Sequence, residues 1–365
     1  MNVTRINNMS KINFSGKIID AHAHIGKHDG INYTKQDLDV FVKSKLANND
    51  EVEKIIVSDI DVLHGVKDEY KGNFDTFNLL KNDPHYEFLI SCNPQKGNVC
   101  EIEKLYKSNL EKIVGLKFHP SIQNLELIDK KYEAYMDFAT KNNLPCLFHS
   151  EVQTLADGKI DTQKILISDP QKIYELARKY SKTPVVMAHM GGGWAEAHDK
   201  AIDVLINSIK NGDANLYADV SWVDIDHPQT HIIKAIKMLN GIGEKDWSYG
   251  DQSFRLMFGT DIPLARFKNN NSDDSIKNYT KFVENIKSAI RNDKDLGINS
   301  EKIIEDLFYN NAQKLYKTSK TIPQNNILKP VICGILLLSS VFTACWFANK
   351  DNLNKNMPKI QNKSI

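Results

Sequence analysis

KIIDAHAHIG, residues 17–26, begins as an apolar strand and ends in two histidines separated by one residue. A doubly wound open sheet would announce itself here with a glycine-rich phosphate turn, but the strand runs into HAHIG instead. Seven further apolar, β-rich runs follow: KIIVSDI (54–60), YEFLISC (86–92), VGLKFHP (114–120), PCLFHSE (145–151), PVVMAHMG (184–191), NLYADVSW (215–222) and LMFGTDIP (256–263). Between them lie charged stretches with helical spacing, such as 169–180. Apolar strands alternating with amphipathic helices predict a parallel sheet covered by helices. Eight such units over roughly 250 residues predict an α/β protein, a TIM-like (β/α)8 barrel. Helices near 276–292 and 300–317 are expected to close its outer layer.

The 365 residues carry 47 Lys+Arg against 46 Asp+Glu, a net charge of +1. No global field would gather nucleic acid or an anionic surface, so a small-molecule substrate is expected and a nucleic-acid partner is not. Cys92, Cys100, Cys146, Cys333 and Cys345 are odd in number and contain no CxxC pair, which argues against a disulfide framework or thiolate metal site. Residues 1–16 form a polar arm without the apolar core of a signal peptide, so the barrel, 17–320, is expected in the cytoplasm. A short linker, 321–329, leads to PVICGILLLSSVFTACWFA, 330–348, nineteen residues without a charge, and then a polar tail, 349–365. Nineteen helical residues rise about 28 Å, close to the hydrocarbon thickness of a bilayer. The segment is expected to be a single transmembrane helix anchoring a cytoplasmic barrel, the alternative being a wholly cytoplasmic protein. Lysines flank both ends and leave its orientation open.

The suspicious polar residues fall at the carboxyl ends of the proposed strands, the face where such barrels place their sites. His22 and His24 share one side of the first strand's pleat. His149 ends the fifth strand, His189 the sixth and Asp261 the eighth, and they are expected to converge on the barrel axis. Imidazoles with a carboxylate suit a divalent ion, zinc first, with manganese, iron or cobalt as alternatives. Lys117 and His119 share a parity on the fourth strand, and Glu151 follows His149 by two; with Trp194, beyond the glycines 191–193, they are candidates to bind substrate. Trp222 and Arg266 are further loop candidates. His28, His64, His85, His198, His227 and His231 match no motif and read as surface or helix-capping residues.

DAHAHIG, GLKFHP, LFHSE, MAHMGGG and MFGTDIP, in this order, resemble the motifs of the amidohydrolase superfamily, in its amidohydrolase-2 branch. The resemblance runs over about 17–317, including a closing YNNAQKLY. It implies a distorted barrel in which His22, His24, His149 and Asp261 ligate one metal, while His189 holds a second metal or polarises substrate and water. Asp261 would also shuttle the proton to the leaving group. Lys117 stands where binuclear members carry a carboxylated lysine, so a second metal is expected only if Lys117 is carboxylated; otherwise it is an ammonium for a substrate carboxylate or phosphate, or part of a buried salt bridge. The function implied is hydrolysis of a small amide, lactone or ester by metal-bound hydroxide. The alternative is a non-oxidative decarboxylase, which is lyase chemistry; a third reading is a non-catalytic, membrane-attached binding protein. Members often pair, so a homodimer is expected.

Overall fold

Each apolar run becomes a strand because its branched and aromatic residues can be buried on both faces of a covered sheet. The computed structural model describes residues 16–317 except 29, 47–48, 154–164, 193–194, 224–229 and 263–271. Among them, β1 (Lys17–His28), β2 (Glu51–Asp59), β3 (Tyr86–Cys92), β4 (Ile113–Phe118), β5 (Cys146–Phe148), β6 (Val185–Met187), β7 (Leu216–Asp219) and β8 (Leu256–Met257) pair in chain order, all parallel. The residues after β8 close the ring on β1. Ala23 bridges Ile262, Ala21 N–H donates to Phe258 O at 3.0 Å, and Asp261 N–H donates to His22 O at 2.8 Å. A short strand, Ile31–Tyr33, folds back antiparallel on the end of β1.

One helix follows each strand: α1 (Lys35–Lys43), α2 (Glu69–Leu80), α3 (Val99–Lys107), α4 (Lys131–Asn142), α5 (Pro170–Lys179), α6 (Ala195–Asn211), α7 (His231–Leu239) and α8 (Ser272–Asn292). α5 begins where its sequence says it should. Asp169 caps it by accepting Gln171 N–H at 2.9 Å, Pro170 takes the first turn, and Arg178 and Lys179 face the negative end of its dipole. Its Ile173 and Ala177 join Val57, Leu116 and Leu205 in the layer between strands and helices.

A separate apolar cluster fills the barrel itself: Ile19, Ala21, Ile56, Leu89, Val114, Leu147, Val186 and Met257. The last helical run departs from expectation here. It is broken into Ser300–Glu305, a π-turn Asp306–Asn310 and Asn311–Lys317. Ala312, Leu315 and Tyr316 of its last piece belong to the interior cluster, so this piece plugs the amino-terminal end of the barrel rather than completing the outer ring. With that end sealed by apolar side chains, polar chemistry is confined to the opposite end. Among the described residues no helix is long and apolar enough to cross a membrane. The apolar segment 330–348 and the polar arm 1–15 lie outside the described residues, as do Trp194, His227 and Arg266.

Candidate metal centre

The first strand must place apolar side chains low in the barrel and histidines high, and it does so with a bulge. Asp20 pairs with Ile55 and Ala23 with Val57, so Ala21 and His22 together oppose Ile56. Below the bulge Ile19 and Ala21 face the axis; above it Ala23 and Ile25 turn to the helix layer and His22 and His24 face inward.

Both imidazoles are buried and held through Nδ1. His22 Nδ1 lies 3.0 Å from Asp219 Oδ2, and His24 Nδ1 lies 2.8 Å from Ser58 Oγ. The Asp219 carboxyl stays ionised, well below the usual range, because the neighbouring His22, His189 and Ser221 outweigh its burial. An ionised carboxylate only accepts, so His22 Nδ1 carries the proton and Nε2 presents a lone pair. That lone pair is 3.1 Å from His24 Nε2, 3.3 Å from Asp261 Oδ1 and 2.9 Å from Lys117 Nζ.

Asp261 and His189 reach the centre through backbone strain. Neither is on a ladder: His189 lies in a turn after β6, and Asp261 four residues beyond β8. His189 (φ 60), Met190 (φ 43), Trp222 (φ 62) and Asp261 (φ 63) all occupy the left-handed region, each at a cost on the order of 1–3 kcal/mol that the surroundings must offset. Asp219 Oδ1 accepts His189 N–H at 3.0 Å, Ser221 Oγ meets His189 Nδ1 at 2.7 Å, and Trp222 Nε1 donates to Asp261 Oδ2 at 2.7 Å. Asp20, buried beneath, clamps Thr260 by accepting its N–H at 3.0 Å and its hydroxyl; burial lifts the Asp20 carboxyl to about 7.

Burial also sets the charges. It drops the His24 imidazole to about 4 and holds those of His119 and His189 well below their ordinary value, while Lys117 comes down to about 8 and remains an ammonium at neutral pH. The Asp261 carboxyl is kept well down by the imidazoles around it, against its own burial.

Ligand atoms of His22, His189 and Asp261 lie within 4.8 Å of one another, and His24 Nε2 is 2.9 Å from Asp261 Oδ1. The donor set fits a divalent ion. Asp261 Oδ1 is buried and makes no well-formed hydrogen bond, and His22, His24 and His189 are each anchored at Nδ1, the arrangement that aims Nε2 at a metal. His149 borders that group, its ring centroid 5.0 Å from that of His189. Its ring stacks on His119 at 3.8 Å and its Nε2 is 3.7 Å from Glu151 Oε2, an interaction that brings the Glu151 carboxyl to about 2. His119 also caps the short helix Pro120–Gln123, its Nδ1 accepting Ile122 N–H at 3.4 Å.

The chain matches the amidohydrolase-2 profile, described as amidohydrolase, over residues 102–318. It belongs to the amidohydrolase family. It is an enzyme of that superfamily. A search of curated proteins finds no match. Solved structures that resemble this amidohydrolase include an uncharacterized TIM-barrel protein from Bordetella bronchiseptica, 14% identical, covering 83% of this chain and 99% of that one with a TM-score of 0.51. An amidohydrolase from Burkholderia multivorans with bound zinc is 11% identical, with 83% and 99% covered and a TM-score of 0.52. 2,6-Dihydroxybenzoate decarboxylase is 12% identical, with 82% and 99% covered and a TM-score of 0.50. At such identities the likeness shows the fold alone.

Sequence reasoning missed several residues of the amidohydrolase's pocket. Asp219, Ser221 and Ser58 were passed over, although Asp219 is a charged residue within an apolar strand run, the same signal that singled out Asp261. His28 and His64, read as surface or capping residues, instead line the cavity of about 300 Å³ that also holds His24, Lys117, His119, His149, His189 and Asp261. His198 and His231 are likewise not at the surface: both are buried, their rings 5.1 Å apart. His85 is half-buried, with Nδ1 2.9 Å from Glu53 O.

Proposed function

We propose that this amidohydrolase is a metal-dependent hydrolase that cleaves a C–N or C–O bond in a small amide, lactone or ester with an activated water. The observation that carries the reading is Asp261 Oδ1, buried without a well-formed hydrogen bond and 2.9 Å and 3.3 Å from the Nε2 atoms of His24 and His22. The Lys117 ammonium, 2.9 Å from His22 Nε2, satisfies that lone pair, but those of His24 and Asp261 repel one another in a dry site unless a shared proton or a metal ion lies between them. His22, His24 and Asp261 would hold the ion, zinc first among the choices, with His149 added on the family resemblance. Such an ion, when bound, lowers the pKa of water toward neutrality and polarises a carbonyl.

The remaining work belongs to the side chains. Asp219 fixes the His22 tautomer, and Trp222 fixes the free oxygen of Asp261. Asp261, kept ionised, takes the proton of the attacking water and hands it to the departing nitrogen or oxygen. His189, kept neutral with its proton on Nδ1, presents the Nε2 lone pair to the attacking water, and the Lys117 ammonium holds a negative group on the substrate. That buried ammonium also favours a second reading, decarboxylation, because it would hold a carboxylate beside the ligands. We further propose that the apolar, uncharged residues 330–348 tether the barrel to a membrane.

The test is a panel of lactones, amides, esters and carboxylated aromatics offered to the zinc-loaded chain. Hydrolysis that falls about a hundredfold or more in Asp261→Asn supports the reading. Release of carbon dioxide instead assigns the lyase, and no turnover on any member of the panel counts against both.

A further inference from the structure

The pattern that places His22 and His24 on one face of β1 continues: His22, His24, Gly26 and His28 are alternate residues of HAHIGKH, and His28 lines the same cavity. His64, just after the short helix Ile60–Leu63, lies beside it with ring centroids 5.6 Å apart. The two are joined to the centre by a file of imidazoles. His64 is 6.5 Å from His119, His119 3.8 Å from His149, His149 5.0 Å from His189, and His189 4.9 Å from His22. His28 lies four residue steps beyond His24, about 13 Å along a strand, room for a six-membered ring carrying a polar group at each end.

This outer pair is rigidly mounted. Asp61 accepts Lys27 N–H at 2.8 Å and pairs with Lys67 Nζ at 2.9 Å, so the ends of β1 and β2 hold each other. Gly26 (φ +111) permits the approach: a Cβ there would lie 3.0 Å from the Ile60 side chain. Charge is uneven across the cavity. Glu151 lines one part of the cavity with an ionised carboxylate, while the His28 and His64 side is lined by imidazoles. Among the described residues, the group whose ligand atoms converge tightly enough for an ion is the inner one, not this pair. Imidazole rings, each able to present an N–H, on the wall of a mostly apolar cavity suit a carboxylate.

We propose that His28 and His64 form a distal carboxylate-binding subsite, so that the substrate is a small flat acid whose reacting group sits at the metal centre and whose carboxylate reaches the mouth. The inference rests on the proposed function for which end reacts, but binding can be measured without turnover.

Titration calorimetry on the zinc-loaded full chain compares benzoate with benzene-1,4-dicarboxylate. The dicarboxylate should bind at least about tenfold tighter, since a good charge-assisted hydrogen bond is worth that much. In the double variant His28→Asn, His64→Asn the advantage should fall below about twofold, with benzoate affinity and zinc content unchanged. No advantage in the parent protein, an advantage that survives the double substitution, or loss of zinc in the variant would each overturn the subsite. Zinc content of the parent, read on the same samples, speaks to the other reading: a protein that takes up no zinc yet prefers the dicarboxylate keeps the subsite and loses the proposed function.

Discussion

Asp219 has the most consequential position among the residues that touch no substrate, because its two oxygens fix His22 Nδ1, His189 N–H and Ser221 N–H together. Asp219→Asn keeps the shape but removes the charge that dictates the His22 tautomer. Such partners typically contribute about 10–100-fold to metal affinity, so zinc binding, measured by competition with a chromogenic chelator, should weaken by that factor while the fold survives. An unchanged affinity would reduce Asp219 to a packing role. His22, His24, Lys117, His189 and Asp261 were legible in the sequence because each is a polar residue interrupting an apolar run, and Asp219 carried the same mark. Ser58 and Ser221 were not legible, since a serine in a strand end is neutral and common. His149 reads as one of the converging set and lies in the same cavity, 5.0 Å from His189 between ring centroids, but its ring is turned onto His119 with Nε2 toward Glu151. Periodicity alone cannot give a side-chain rotation of that kind.

The eight apolar runs correspond one to one with the eight barrel strands, since burial on both faces leaves a strong compositional trace. Their carboxyl ends were overrun: PVVMAHMG keeps three ladder residues and LMFGTDIP two, because the chain leaves the sheet where it turns left-handed to aim His189 and Asp261. Nothing in composition marks a non-glycine residue for positive φ. The role of the closing helix as a plug was hidden for a similar reason, since an apolar helix face does not say which layer it enters. One buried acid ties several elements and gives a test at this scale. Glu69 of α2 accepts N–H groups of Asn93 and, at 2.9 Å, Asn98, and the Tyr135 hydroxyl of α4 at 2.9 Å. Burial raises its carboxyl to about 7, from an ordinary 4.5. The native state therefore binds the proton more tightly than the unfolded chain, and this contribution is complete below about pH 4.5 and is lost as pH rises through 7. The Glu69→Gln variant cannot titrate. Its stability relative to the parent should rise between about pH 5 and pH 8, by up to roughly 3 kcal/mol, in paired thermal unfolding. A difference that is flat with pH would contradict the assignment.

At the scale of the whole molecule, a near-neutral chain with an apolar plug at one end of its barrel and an imidazole-lined cavity at the other has one end for chemistry. The chain beyond the barrel carries a different prediction. If residues 330–348 anchor the enzyme, the full chain should sediment with membranes and resist a carbonate wash, whereas a version ending at Lys320 should not. Equal behaviour of the two would dismiss the anchor and leave the barrel chemistry untouched. The central claim, that the His22–His24–Asp261 cluster is a metal site, is tested most directly by the metal content of the full chain after chelation and reconstitution with zinc, beside His22→Ala. The account predicts one tightly held ion per chain in the parent and a large loss in the variant. A parent chain that takes up no tight ion, or a folded His22→Ala that holds as much as the parent, would contradict it.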